Sequence, residues 1–190
     1  MKFISKAFLF LMGWKITTQI PLEEYKKMVV IMAPHTSYWD FFIGSPGFRS
    51  LGIKNVKFLI KKELYRFPYK NLFHFFNGIP VERGDTNNLV KQLTDHFIKN
   101  EEFIVLITPE GTRNRTENWK KGFYFIATHA KVPIGLGYLD YAKKVGGIGQ
   151  VFHPTGDYEK DMAEIKEFYK DKTAKFPKNF NLSPMYRKVD

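Results

Sequence analysis

Met28-Val29-Val30-Ile31-Met32-Ala33-Pro34-His35-Thr36-Ser37-Tyr38-Trp39-Asp40 is the stretch whose reading decides the fold. Its first five residues are apolar without a break. A strand with one solvated face alternates apolar and polar residues, whereas a strand covered on both faces runs apolar throughout. Four more runs read the same way: Val56 to Ile60, Phe103 to Ile107, Val132 to Leu139 and Ile148 to Phe152. Helical patterns lie between or after them, at Trp39 to Arg49, Glu63 to Phe76, Thr86 to Asn100, Trp119 to Lys131 and Asp157 to Lys172. The last has Asp157 in the capping position and spaces Met162, Ile165, Phe168 and Tyr169 along one face. Strands alternating with helices predict an α/β fold: a single layered domain over residues 1–190, with a largely parallel central sheet flanked by helices. No internal repeat, low-complexity segment or linker divides it.

Composition sets the outer limits. With 190 residues, 44% hydrophobic and 17% aromatic, the chain can bury a core without covalent staples. Zero cysteines exclude disulfides, thiolate zinc sites and a thiol nucleophile. The net charge of +11 and pI near 9.6 favour an anionic partner, whether nucleic acid, a membrane surface or a phosphorylated substrate. From Asp157 onward basic and acidic residues nearly cancel, so the excess sits in the earlier part.

Phe3 to Trp14 is the most apolar stretch, interrupted by Lys6 and Gly13. It falls far short of the ~18 to 20 apolar residues a spanning helix needs, and no small-residue cleavage site follows it. As a helix it places Ile4, Ala7, Phe8, Leu11 and Met12 on one face, with Lys2 and Lys6 elsewhere. Two readings stand: residues 1–16 as a short amphipathic helix in the lipid headgroup layer, or a helix packed on the core. The expected location is cytoplasmic, peripheral on the inner face of the cytoplasmic membrane.

In folds of this kind chemistry collects in the loops beyond strand ends. His35 and Asp40 follow the first strand and are five residues apart, about 140° around a regular helix at ~100° per residue. With His35 in the turn and Asp40 in the first helical turn, the carboxylate can fold back onto the imidazole. That is a base with its orienting partner; the plainer alternative is a histidine capping a helix. After the third strand stand Glu110, Gly111, Thr112 and Arg113, a glycine and guanidinium suited to an anion. Glu110 there would repel phosphate, so it is expected to hold an arginine or accept from a substrate hydroxyl; a surface turn with an ion pair is the alternative. Gly78 and Gly84 bracket a short extended piece presenting Arg83, a second possible anion contact or a solvated side chain. Lys54, Lys57, Lys61, Lys62, Arg66 and Lys70 interleave with aromatic residues, a mixture that suits an anionic bilayer, nucleic acid or a solvated helix face. His74, His96, His129 and His153 form no ligand cluster, and no phosphate-loop or dinucleotide glycine pattern occurs, so no metal or cofactor is expected.

In this order the segments resemble the phospholipid/glycerol acyltransferase family, best known for the 1-acylglycerol-3-phosphate acyltransferases. His35-Thr36-Ser37-Tyr38-Trp39-Asp40 is similar to its His-x4-Asp block, and Gly78-Ile79-Pro80-Val81-Glu82-Arg83 to its arginine-bearing block. Glu110-Gly111-Thr112-Arg113 matches its Glu-Gly-Thr-Arg block, Val132-Pro133-Ile134 the start of its Val-Pro-Ile block, and Lys61-Lys62-Glu63-Leu64 the stretch between the first two. The likeness spans about residues 28 to 140.

The resemblance implies that His35 is the general base, oriented by Asp40, removing a proton from an acceptor hydroxyl that attacks an acyl thioester. It implies that Lys61, Arg83, Glu110, Gly111, Thr112 and Arg113 line the acceptor's polar head, and that Val132, Pro133 and Ile134 shape the acyl site. The implied donor is acyl-CoA or acyl carrier protein, the acceptor a lysophospholipid and the support an anionic membrane surface, with nucleic acid set aside. An imidazole of ordinary pKa ~6.5 accepts a proton near neutral pH, and no acyl-enzyme is required. Pro34, Thr108 and Gly135-Leu136-Gly137 depart from the family's usual residues, which leaves the acceptor open, a lyso-aminolipid included. The rival readings are a hydrolase in which His35 activates water and a non-catalytic anionic-lipid binder.

Overall fold

The computed structural model describes residues 2–18, 20–21, 25–53, 55–66, 70–75, 77–82 and 86–182. Seven strands form one sheet in the order β1-β7-β6-β2-β5-β3-β4. They are β1 (Lys15–Thr18), β2 (Lys27–Met32), β3 (Val56–Lys61), β4 (Gly78–Val81), β5 (Phe103–Ile107), β6 (Ile134–Asp140) and β7 (Val145–Phe152). Strands β6, β2, β5, β3 and β4 run parallel; β7 pairs antiparallel with β6, and β1 runs parallel to β7. Six α-helices accompany them among the described residues: α1 (Lys2–Leu11), α2 (Trp39–Ser50), α3 (Lys70–Phe75), α4 (Thr86–Lys99), α5 (Gly122–Ala130) and α6 (Tyr158–Tyr169).

The unbroken apolar run of β2 has the expected cause. Its side chains alternate between two cores. Val29, Ile31 and Ala33 join a cluster with Leu93 and Phe97 of α4, Phe123 and Ile126 of α5, and Met162 and Ile165 of α6. Met28, Val30 and Met32 join a second cluster with Leu9 of α1 and Ile43 and Phe48 of α2. The sheet is thus covered on both faces. Each such buried side chain contributes roughly 1.5 to 3 kcal/mol relative to exposure.

Four elements differ from the sequence reading. The helix expected over Glu63 to Phe76 is a 3-10 turn at Lys62–Leu64 followed by α3; Pro68 lies between them in the sequence, and proline ends a helix at the preceding residue. The helix expected from Trp119 begins at Gly122. The extended piece after Gly78 is the edge strand β4. Strand β1 is too short for its own pattern to announce it. It seats on β7 at Gly147, where an added Cβ would lie 1.8 Å from the Thr17 carbonyl oxygen, so only glycine fits.

Helix α1 splits its apolar residues. Leu9 is buried beside Ser5, while Phe3, Ile4, Phe10 and Leu11 are more than two-thirds exposed. The chain leaving α6 turns back along the carboxyl ends of the parallel strands, and the Tyr141 N–H donates to the Thr173 carbonyl there (2.8 Å).

Candidate active site

Five parallel strands end on the same edge of the sheet, and the residues that follow them converge there. β2 leads into His35 and Asp40, β5 into Glu110 through Arg113, and β6 into Tyr141. Asp40, in the first turn of α2, is buried. Its Oδ2 accepts from the Thr36 and Ser37 N–H groups (both 2.9 Å), and its Oδ1 accepts from the Tyr141 hydroxyl (2.6 Å). The carboxylate's position is therefore set by its own loop and by a residue 101 positions away. His35 Nδ1 lies 3.1 Å from Asp40 Oδ2. The separation is that of a hydrogen bond, but the ring is turned so that an aligned N–H···O bond is not made. Such pairs commonly tighten when substrate arrives. With a carboxylate beside Nδ1, the Nε2–H-free tautomer is favoured and Nε2 is the nitrogen left to take a proton.

Burial and the neighbouring Asp40 charge push the Tyr141 phenol up, which keeps it a donor to Asp40. The edge of the Trp14 indole packs against its ring (centroids 5.0 Å apart).

Glu110 lies where the sequence reading did not put it. The carboxyl is buried, and Oε2 accepts from the His35 backbone N–H (2.8 Å). Oε1 is also buried and has no hydrogen-bond partner among the described residues. Burial, opposed by the His35 N–H and aided by the Asp40 charge, pushes this carboxyl up to about 8. Near neutral pH Glu110 is mostly protonated, which removes the objection that a carboxylate beside an anion site repels it. It braces the His35 main chain instead of pairing with an arginine.

Gly111 makes that placement possible. Its φ of +68° sits in the left-handed region, and the reversal it allows turns Glu110 inward while Arg113 emerges at the surface. Arg113 lies over the exposed Tyr38 ring (3.7 Å to the centroid) and donates to the Tyr38 hydroxyl (2.8 Å). Thr112 Oγ1 accepts from the Asn114 N–H (3.2 Å). Lys61 ends β3 on this same edge, its backbone in register with Val81 of β4. Arg83 falls outside the described residues.

The structure does not bring Val132, Pro133 and Ile134 to His35. Ile134 is in register with Val29, and the Val29 N–H donates to the Pro133 carbonyl, at the strand ends opposite the site. Val132 and Ile134 are buried in the core. Parallel pairing with β2 compels this: the block that opens β6 cannot also lie where β2 closes. The residues of β6 that do reach the site are those at its far end, leading into Tyr141.

Tyr141, Tyr38 and the chain after α6 are the site components the sequence reading did not single out. The strand-end rule reaches Tyr141, because it directly follows β6. Nothing local announces the returning chain, whose Phe176 N–H donates to Thr36 Oγ1 (3.1 Å) and whose Asn179 side chain donates to the Arg113 carbonyl (3.2 Å). Among the described residues no three His, Asp or Glu side chains converge as a metal site requires.

The arrangement can remove a proton from a hydroxyl at His35, with the half-buried Arg113 guanidinium on the Tyr38 ring of the same loop. A family model described as Acyltransferase matches residues 15–135, well over half of the chain and all of the site up to β6. No match came from the curated proteins or from the solved structures. The chain is therefore an acyltransferase and belongs to the phospholipid/glycerol acyltransferase family.

Proposed function

We propose that the protein is an O-acyltransferase that moves a fatty acyl group from a thioester donor, acyl-CoA or acyl carrier protein, to the hydroxyl of a lysophospholipid-type acceptor such as 1-acylglycerol-3-phosphate. The observation that carries this reading is the His35–Asp40 pair, with Nδ1 and Oδ2 3.1 Å apart and Glu110 bracing the His35 main chain. His35 Nε2 takes the acceptor's hydroxyl proton as the oxygen attacks the thioester carbonyl. The tetrahedral intermediate collapses, the C–S bond breaks, and the imidazolium returns the proton to the departing thiolate. Asp40 stabilises the imidazolium while it exists. General base help of this kind supplies ~10² to 10⁴-fold, and positioning supplies much of the rest.

Arg113, with the Gly111–Thr112 turn and with Lys61 and Arg83 nearby in the family pattern, would take the acceptor's anionic head. The exposed face of α1 supports a membrane partner. Among the described residues no helix is long and apolar enough to cross a bilayer. Phe3, Ile4, Phe10 and Leu11 are exposed together with Lys2 and Lys6, as in a helix lying among anionic headgroups on the inner face of the cytoplasmic membrane. A lyso-aminolipid acceptor is the second reading, favoured by the departures at Pro34 and Thr108.

The test is acyl transfer from both donor types to a lysolipid panel presented in anionic vesicles. The expected result is a two-chain lipid formed with release of thiol and no free fatty acid. Release of free fatty acid alone would make the protein a hydrolase. Vesicle binding with no turnover on any pair would leave a lipid-binding protein.

A further inference from the structure

The chain after α6 lies outside the segment that the family model matches, and it carries a cation into the site. Thr173, Phe176 and Asn179 pin this chain to Tyr141, Thr36 and Arg113 respectively, so its path between Tyr141 and the Glu-Gly-Thr-Arg turn is set by three hydrogen bonds. Between the first two anchors stands Lys175. Its ammonium lies 4.8 Å from the centre of the Trp39 ring and 5.8 Å from that of Tyr141. These are the neighbour of Asp40 in sequence and its hydrogen-bond donor.

Lys175 is partly buried, yet among the described residues its ammonium has neither a carboxylate nor a hydrogen-bond acceptor. Contacts with aromatic faces hold a cation in place for roughly 0.5 to 1 kcal/mol but satisfy none of its three N–H donors. The other acidic groups nearby are committed. Asp40 is saturated, Asp140 takes the N–H groups of its own turn and lies near the Lys143 ammonium, and Glu110 faces the His35 main chain. Arg113 is the second cation of the rim, held over Tyr38, the residue preceding Trp39.

We infer that Lys175 is a phosphate-binding residue of this site, placed by the returning C-terminal chain so that it and Arg113 grip a phosphate group of a substrate from the two neighbouring rings. The assignment rests on reading His35–Asp40 as the acyl-transfer centre and deepens it. Two substrates bring phosphate: an acceptor with a phosphate monoester head, or a donor carrying the phosphates of CoA.

The experiment compares the native protein with Lys175→Met, which keeps the aliphatic stem over Trp39, and with Lys175→Arg, which restores the charge. Acceptors are 1-acylglycerol-3-phosphate and its phosphate-free counterpart, monoacylglycerol. Donors are acyl-CoA and an acyl thioester of N-acetylcysteamine, which lacks phosphate. For Lys175→Met, kcat/KM should fall about tenfold more for the phosphate-bearing member of one pair than for the phosphate-free member, mainly through KM, as expected for loss of one charge-assisted contact. Lys175→Arg should recover most of the loss. A loss that follows the acceptor pair assigns the headgroup phosphate, and one that follows the donor pair assigns that of CoA. Equal losses across both pairs, or none, would overturn the assignment.

A binding arm keeps the two readings apart. Calorimetric titration of 1-acylglycerol-3-phosphate, and separately of CoA, into folded His35→Ala protein requires no turnover. Adding Lys175→Met should weaken one of the two affinities about tenfold. If it weakens neither, the Lys175 assignment fails even where acyl transfer stands. If it does so while His35→Ala still transfers acyl groups at the native rate, the phosphate site stands and the mechanism fails.

Discussion

The two ends of the parallel strands are built from different materials. At the amino ends, Val132, Ile134, Phe103 and Phe97 close the sheet with apolar packing, and the buried Asp161 at the start of α6 accepts from the Tyr124 hydroxyl and from the Thr155 N–H and hydroxyl. At the carboxyl ends, two carboxyl groups are buried against His35, Asp40 beside its imidazole and Glu110 at its main-chain N–H, and the aromatic residues Tyr38, Trp39 and Phe42 stand exposed. Burying carboxyl groups opposes folding. The ends differ in what holds the buried acids: Asp161 has tyrosine and threonine donors, whereas Asp40 and Glu110 both lie against the His35 loop. The hydrogen bonding of the two acids differs too: Asp40 accepts from two main-chain N–H groups and a tyrosine hydroxyl, while Glu110 has one N–H and an orphaned oxygen and is held mostly neutral.

This contrast can be broken first at the apolar end. Ile134→Ala deletes a fully buried side chain of β6 and should cost roughly 2 to 5 kcal/mol of stability, read as a lower urea midpoint. The kcat of the molecules that remain folded should hold. A fall in turnover or a changed chain-length preference with no loss of stability would return this block to the acyl site. A smaller effect is expected at Glu110. Its folded value of about 8 lies above its ordinary 4.5, so between those pH values the folded protein holds a proton that the unfolded chain has released. Stability must then fall as pH rises through that window, by at most ~1.4 kcal/mol per pH unit. Glu110→Gln, which can still accept from the His35 N–H, should flatten that part of the curve in chemical denaturation from pH 5 to 8. An identical slope in the variant would mean that the carboxyl is ionised and solvated in the folded protein.

The layered fold was legible because β2, β5 and β6 are covered on both faces, and burial on both faces leaves unbroken apolar runs. The Lys62 to Phe75 region was harder, since its mixed lysine and aromatic pattern fits a helix until Pro68 is weighed. β1 was not legible at all: Lys15-Ile16-Thr17-Thr18 is a strand only because β7, some 130 residues later, offers it an edge. The site divides in the same way. His35 and Asp40 signal each other across five residues, a local relation that spacing carries. Glu110 did not disclose its role, because Arg113 and Arg115 stand close after it in the sequence and its partner in space is the His35 main chain. Tyr141 and Lys175 depend on contacts spanning most of the chain, which no periodicity records.

The proposed mechanism requires that His35 take the acceptor's proton. The direct measurement is the rate of acyl transfer from a labelled thioester to the best lysolipid by His35→Ala, with circular dichroism melting confirming that the fold is retained. The predicted result is a loss of about 10²- to 10⁴-fold with vesicle binding unchanged. A folded His35→Ala protein that transfers the label at the native rate would contradict it.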